Sequence, residues 1–326
     1  MQSQAWVWHQ PGEPEGLKLE SCALPEPGER EVCIENRVIA FNPVDWKLIE
    51  SGHPVWASGH VPGVDGMGVV AAVGSGVTHL CPGMRVAYHA DLRRQGSFAQ
   101  HTLVPARAVL TLPEALSDET AAAFPCPGLT AWLALAKLPD IRDEAVLVSG
   151  AGSNVGRFLV ALALRAGARV FASASPAHHD VLRCQGACAV ADYHDPAWIE
   201  RLLAANGGAP FHVVVDVTSS RQAASLVQHI GYSGHLVAIM GRVEENPWPP
   251  FSRCVSLHEV ALGAQHQHGS DRQWQHMVAA GEAMLADLAQ GRLPIPPVKV
   301  GEFARLPYWL SEFKRSGQGI KYLVRV

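Results

Sequence analysis

Apolar positions along this chain fall into two regimes. Up to about Ser117 they come in short runs rich in β-branched residues, Glu31–Ala40, Val69–Val73, Arg85–Tyr88 and Val109–Leu112. Turn residues separate the runs: Pro25, Pro27 and Gly28 before the first, Gly74 and Gly76 after the second, Pro82 and Gly83 before the third. Short β-prone runs with this punctuation predict a barrel-like or sandwich-like β domain. Pro43–Gly52 differs, polar on one side and apolar on the other, and predicts one or two helical turns.

From Ser117 the pattern changes to an alternation of strands and helices. Ser117-Asp118-Glu119-Thr120 is a helix-start signature. Then follow the apolar run Ala145–Val148, a glycine loop, a helix over Val155–Ala166 and the run Arg169–Ser173. Helices over Ala177–Gln185, Pro196–Ala205 and Gln222–Ile230 precede strands at Ala189–Val190, His212–Val217 and His235–Ile239. Near-continuous apolar strands alternating with helices predict a parallel sheet covered on both faces. A helix over Asp271–Gln290 and a final strand over Ile320–Val326 close the chain. The expected fold class is therefore α/β in two domains: a β-rich domain from residues 1–121 and 267–326, and a doubly wound parallel-sheet domain from residues 122–266.

Composition narrows the function. The chain has 326 residues, 48% hydrophobic and 17% charged, which is ordinary globular material. A formal charge of −4 leaves no electrostatic footprint for nucleic acid. The apolar stretch Ala121–Ala136 is interrupted by Pro125, Pro127 and Gly128, and Phe158–Ala163 is too short to cross a bilayer. The opening residues MQSQAWVWHQPGEPEG lack the basic-then-apolar order of a secretory signal, so the expected location is the cytoplasm. Seven scattered cysteines fit reduced thiols better than a disulfide framework. Together with 16 histidines, they raise the question of a metal.

The strongest motif is the glycine loop, Gly150, Ala151, Gly152, Ser153, Asn154, Val155 and Gly156, running from a predicted strand into a predicted helix. Such a loop brings backbone N–H groups and the positive end of a helix to a pyrophosphate, and Gly156 lets the helix pack closely on the strand. Asn154 stands where a glycine is expected; asparagine tolerates positive φ, so the turn survives. An NAD site places a carboxylate at the tip of the next strand. Here that tip reads Ser173-Ala174-Ser175-Pro176-Ala177-His178-His179, with no acid before Asp180 and no Lys or Arg. Ser173, Ser175 and His178 are candidate partners of a 2′-phosphate, so the expected cofactor is NADP(H) rather than NAD(H).

Several phrases, in order, resemble the medium-chain dehydrogenase/reductase superfamily. They are Asn42-Pro43-Val44-Asp45-Trp46-Lys47, Pro62-Gly63-Val64-Asp65-Gly66-Met67-Gly68, Gly74-Ser75-Gly76-Val77, Pro82-Gly83-Met84-Arg85-Val86, Gly128-Leu129-Thr130-Ala131, the glycine loop, Gly234-His235-Leu236-Val237 and Ser316-Gly317-Gln318-Gly319-Ile320-Lys321. The resemblance implies a GroES-like catalytic domain and a Rossmann domain. It also implies a homodimer paired through the last nucleotide-domain strand, expected at Val260–Gln265. Set against the zinc-binding members, the first two ligand positions hold Pro43 and Val64, and only Cys126 keeps a thiol. One thiol does not make a catalytic zinc site, so no metal is expected and Cys126 reads as a small buried hydrophobe.

The zinc-free branch resembles quinone oxidoreductases and enone or enoyl reductases, which pass hydride to an already electrophilic small-molecule acceptor. By this resemblance Asn42 stands near the nicotinamide ribose. Asp45 takes the place of a proton-relay hydroxyl, and Lys47 can supply a proton or positive charge. Thr130 is expected near the nicotinamide and pyrophosphate, and Tyr193 near the adenosine phosphate. Val217, Thr218, Met240 and Gly241 are expected to line the cofactor crevice. Loops around Trp46, His53–His60 and His89–Ser97 would shape the acceptor site. The alternatives are a zinc-type alcohol dehydrogenase, or a nucleotide-binding redox sensor or structural protein without turnover.

Overall fold

The structure is a computed structural model describing residues 2–24, 26–316 and 319–326. Pro25, Gly317 and Gln318, named above among turn and family-phrase residues, lie outside the described residues. The chain opens with strands β1 (Gln2–Val7), β2 (Lys18–Ala23) and β3 (Glu31–Ala40), helix α1 (Pro43–Ser51), and strands β4 (Asp65–Val73), β5 (Arg85–His89), β6 (His101–Pro105) and β7 (Val109–Thr111). Helices α2 (Asp118–Ala123) and α3 (Pro125–Leu135) follow. The alternating region is β8 (Ala145–Ser149), α4 (Asn154–Arg165), β9 (Arg169–Ser173), α5 (His179–Gln185), β10 (Ala189–Ala191), α6 (Trp198–Ala205), β11 (Phe211–Asp216), α7 (Ser220–Leu226), β12 (Ile230–Ala238) and β13 (Ser256–Glu259). The chain ends with α8 (Gln265–His268), α9 (Asp271–Ala289), β14 (Val298–Glu302), α10 (Leu306–Ser316) and β15 (Lys321–Arg325).

Two compact units result, one of residues up to Cys126 with Gly263–Val326, the other Pro127–Leu262. In the first unit, strands run β14-β15-β3-β4-β5-β7, with β6 also on β3 and the hairpin β1–β2 forming its own small sheet. The glycines of the Gly63–Gly68 phrase are fixed by neighbours across the sheet. A Cβ on Gly66 would stand 2.4 Å from the Tyr88 hydroxyl, and one on Gly68 would stand 2.0 Å from the Glu35 carbonyl oxygen. Ile39, Phe41, Ile49, Phe98, Leu310 and Tyr322 are among the residues of this unit's core.

In the second unit every strand pairing is parallel, in the order β10-β9-β8-β11-β12-β13. Counting from β8, this is 3-2-1-4-5-6, the doubly wound order whose ligand crevice lies at the carboxyl ends of the strands, where the order reverses. Helix α4 buries Gly156, Phe158, Leu159, Val160 and Ala163, a stripe at helical spacing.

One expectation is corrected here. The last strand of this sheet is β13 at Ser256–Glu259, not Val260–Gln265. Gln265–His268 is a short helix, and His266 is buried with its Nε2 3.0 Å from the His89 carbonyl oxygen. No β-branched residue occurs from Ala261 to Met277, so nothing there favours a strand.

Candidate active site

In the first unit, strand register assembles a buried polar group. Ala40 of β3 lies opposite Asp65 of β4, Asp65 lies opposite His89 of β5, and Leu323 of β15 lies opposite Ala40. Just beyond these pairs, Asn42 meets Lys321. The Lys321 ammonium donates to Asn42 Oδ1 at 2.6 Å, and Asn42 Nδ2 donates to Asp65 Oδ2 at 2.8 Å. Asp65 Oδ2 also accepts from Cys126 N at 3.0 Å and from Lys321 Nζ at 3.5 Å, while Oδ1 pairs with His89 Nδ1 at 2.9 Å. Asp65 and Lys321 are 0% and 1% exposed. Burial pushes the Asp65 pKa up, but Lys321, His89 and Asn42 together outweigh it and hold the group below the usual carboxylate range.

Asp45 sits one hydrogen bond away and behaves oppositely. Its Oδ2 accepts from Asn42 N at 2.7 Å, closing the start of α1, and its Oδ1 accepts from Val64 N at 3.2 Å. Burial, aided by the Asp65 charge, overrides those two bonds and pushes its pKa up to about 8. Two carboxyl groups in one network are thus driven apart, one ionised by a lysine and one protonated at neutral pH.

Lys47 does not join this network. It lies exposed on α1, its ammonium 5.6 Å from the Trp46 ring, and such burial as it has lowers its pKa. Trp46 and Trp56 both pack against the unit's core. Trp56 donates to the Leu92 carbonyl at 2.7 Å and stacks on His60 at 4.2 Å. The loops carrying Val55–Val61 and Arg93–Gly96 line a cavity of about 570 Å³.

Asp65, His89 and Cys126 bring three metal-type donor atoms within 4.8 Å of one another. The position-by-position ligand count from the sequence missed two of these, because strand register supplies them. As arranged, the trio does not fit a divalent ion. Both Asp65 oxygens are already taken by hydrogen-bond donors, and the Lys321 ammonium balances the carboxylate's charge. A dication added here would leave uncompensated positive charge beside Asp65 and Lys321, both buried, which is strongly unfavourable.

In the second unit, the predicted cofactor residues gather at one sheet edge. Gly150–Gly156 follow β8, Ser173 ends β9 with Ser175 and His178 beyond it, Tyr193 follows β10, Val217 and Thr218 follow β11, and Met240 and Gly241 follow β12. Gly150 has φ +80°, and a Cβ there would stand 2.7 Å from Val217 and 2.8 Å from Thr218. A Cβ on Gly156 would stand 2.4 Å from the Gly150 carbonyl oxygen. Ala151 is fully buried, and Thr130 is buried in α3. Asn154 is not the left-handed residue expected. It is the first residue of α4, one position before Val155, and Ser153 caps the helix by accepting from Gly156 N at 3.0 Å. Ser173 Oγ accepts from Gly150 N at 3.3 Å, so it shapes the loop. The Thr218 hydroxyl donates to Asp216. The open glycine turn, capped helix and crevice-edge position fit a dinucleotide pyrophosphate.

Sequence reasoning also missed Arg157. Its Nη2 donates to His178 Nδ1 at 3.1 Å and its Nε to the Gly152 carbonyl at 3.4 Å, which brings a guanidinium to the tip that lacks a basic residue in the sequence. The available signal was a lone arginine on the first turn after the glycine loop.

Comparison with known proteins agrees with this geometry. Residues 28–114 match the alcohol dehydrogenase GroES-like domain family. The trans-enoyl reductase tazE of Aspergillus terreus is 38% identical over 217 residues, 61% of this chain and 71% of that protein. The trans-enoyl reductase tndF of Aspergillus flavipes is 37% identical over 218 residues, 62% of this chain and 63% of that protein's length, less than two thirds of it. The quinone oxidoreductase of Sus scrofa is 27% identical, with 83% of each chain covered. An alcohol dehydrogenase superfamily protein from Novosphingobium aromaticivorans has the same fold, with a TM-score of 0.88 at 24% identity over 99% of both chains. The chain belongs to the medium-chain dehydrogenase/reductase superfamily, in its quinone-oxidoreductase-like branch.

Proposed function

We propose that this protein is an NADPH-dependent oxidoreductase that reduces an α,β-unsaturated carbonyl or a quinone without a metal. The observation that carries this reading is the Asp65–Lys321 pair. The carboxylate that a metal would need is saturated by four donors, one a buried ammonium, so the acceptor has to be electrophilic by itself. The trans-enoyl reductase and quinone oxidoreductase relatives support it.

The bound nicotinamide supplies the hydride. Gly150–Gly156 and the amino end of α4 hold the pyrophosphate, with Val217, Thr218, Met240 and Gly241 at the same sheet edge. Asn42 is a positioning residue, its amide clamped between Lys321 and Asp65. Asp45 closes the start of α1 and fixes the helix that carries Lys47. Lys47 is the only one of the three predicted catalytic side chains with an exposed nitrogen, and its lowered pKa favours giving up a proton. It therefore protonates the enolate or hydroquinone oxyanion. A homodimer through the edge of β13 belongs to the same reading, as does the assignment of Pro127–Leu262 as the nucleotide domain.

The test is NADPH oxidation followed by absorbance with a 2-enoyl thioester, a simple enone and a quinone, with and without a chelator. Chelator-insensitive turnover with one of these acceptors is expected. Loss of turnover on chelation, restored by zinc, would overturn the metal-free part. Oxidation of simple alcohols alone would overturn the acceptor class.

A further inference from the structure

We infer that Arg157 and His178 form the site for the 2′-phosphate of the adenosine moiety, so that cofactor choice is set from helix α4 and not from the strand tip. The inference rests on the dinucleotide reading above. The tip of β9 offers no Lys or Arg from Ser173 to His179. Arg157 reaches it from the first turn of α4. Among the described residues its hydrogen-bond partners are the Gly152 carbonyl and the His178 ring, and neither is anionic. Burial lowers its pKa with no carboxylate acting against it. A half-buried guanidinium with uncharged partners keeps its charge and several N–H donors for an anion.

His178 is prepared for the same ligand. Arg157 donates to its Nδ1, so that nitrogen is the acceptor and Nε2 carries the hydrogen. Burial, Arg157 and His179 lower the His178 pKa, which keeps this tautomer neutral. The ring lies against the glycine turn: a Cβ on Gly152 would stand 2.2 Å from His178 Cδ2. Gly152 is thus glycine because the ring occupies its side-chain space. The nearest acid in sequence, Asp180, pairs with Arg183 at 3.3 Å and is strongly exposed. The first turn of α4 and the residues after β9 together present Arg⁺, an imidazole N–H and no carboxylate. That chemistry matches a phosphate monoester on the ribose, which in this fold lies at the tip of the second strand.

The same guanidinium could instead serve the pyrophosphate, and binding titrations on the intact chain separate the two. NADPH, NADH, 2′,5′-ADP and 5′-AMP are titrated calorimetrically against wild type, Arg157→Leu, Arg157→Lys and His178→Gln, with circular dichroism and thermal melting to establish folding. Arg157→Leu should weaken NADPH and 2′,5′-ADP by about 10- to 150-fold, the span of a charged hydrogen bond, and leave NADH and 5′-AMP within a few-fold. Arg157→Lys should keep part of the affinity, and His178→Gln should lose less than Arg157→Leu. Equal losses for NADPH and NADH, or no loss for either, would overturn the inference while leaving the dinucleotide reading intact. A wild type that binds neither dinucleotide would overturn both. If Arg157→Leu fails to fold, Arg157→Lys and His178→Gln carry the same comparison.

Discussion

The buried network of the first unit and the glycine edge of the second treat charge in opposite ways. Around Asp65 every charge and nearly every donor finds its partner inside the protein: ammonium with amide oxygen, carboxylate with ammonium, imidazole, amide and backbone N–H. Around Arg157 the partners among the described residues are a carbonyl and a neutral ring, and none of them balances the positive charge. A closed network fixes geometry and repels a further ion; an open one is built to take an anion. The first explains why the Asp65, His89 and Cys126 donors as arranged do not fit a divalent ion, and the second is where we propose that cofactor preference is set.

The comparison breaks most severely if the closed network is opened. Lys321→Met leaves Asp65 ionised and buried without its ammonium. Removing one partner of a buried pair costs about 3–5 kcal/mol. The expected result is a large fall in chemical-denaturation stability, much of it recovered in the double variant with Asp65→Asn. A Lys321→Met protein as stable as wild type would show that the network is not closed.

Legibility in the sequence divides along the same line. The second unit's alternation, glycine loop and carboxyl-edge residues are local signals, because each βα turn is contiguous in sequence; the bounds shift, with α4 starting at Asn154, α6 at Trp198 and α7 at Ser220, and β12 beginning at Ile230, which was expected to end a helix. β3 is likewise where its alternation puts it, at Glu31–Ala40. The Asp65–His89–Lys321 group was not legible, since its members are brought together by the registers of β4, β5 and β15. A clue was present: Lys321 stands directly before the apolar Tyr322, Leu323 and Val324 of the terminal strand, and a lysine there needs a buried partner. Arg157 was missed for a related reason. It lies on a helix, apart in sequence from the strand tip, and only the fold brings the two together. The Val260–Gln265 strand was placed by the family resemblance alone; after Val260 no β-branched residue supports it, and the chain turns into the short helix Gln265–His268.

Asp45 tests the closed network by pH. Its pKa is raised in the native state to about 8 from the ordinary 3.8, so between these values the unfolded chain loses a proton that the native chain keeps. Native stability therefore falls as pH rises through that window, with a slope of up to about 1.4 kcal/mol per pH unit for one proton. Asp65 acts with the opposite sign and only at lower pH. Its depressed pKa gives stability above the ordinary carboxylate value that is lost on acidification. Asp45→Asn should flatten the fall between about pH 4 and pH 8 and leave the acid limb in place. Parallel curves for variant and wild type across that window would show that Asp45 is ionised in the native state.

Lys47→Ala should change stability least, since the residue is exposed and loses only a contact of its ammonium with Trp46 at 5.6 Å, worth about 0.5–1 kcal/mol at such a site. Its consequence lies in turnover. General acid catalysis contributes about 100-fold or more, so kcat should fall by that order while NADPH binding stays unchanged. Lys47→Arg should not rescue the rate, because a guanidinium keeps its proton throughout the working range. The same substitution would preserve the contact with Trp46, so a rescued Lys47→Arg would mean that the residue acts through its charge or its packing. A proton handed over by Lys47 requires the opposite result: two folded variants, one with the positive charge and one without, equally slow. That outcome would place the proton at the exposed face of α1, outside the closed network, and leave Asn42, Asp65 and Lys321 to hold geometry alone.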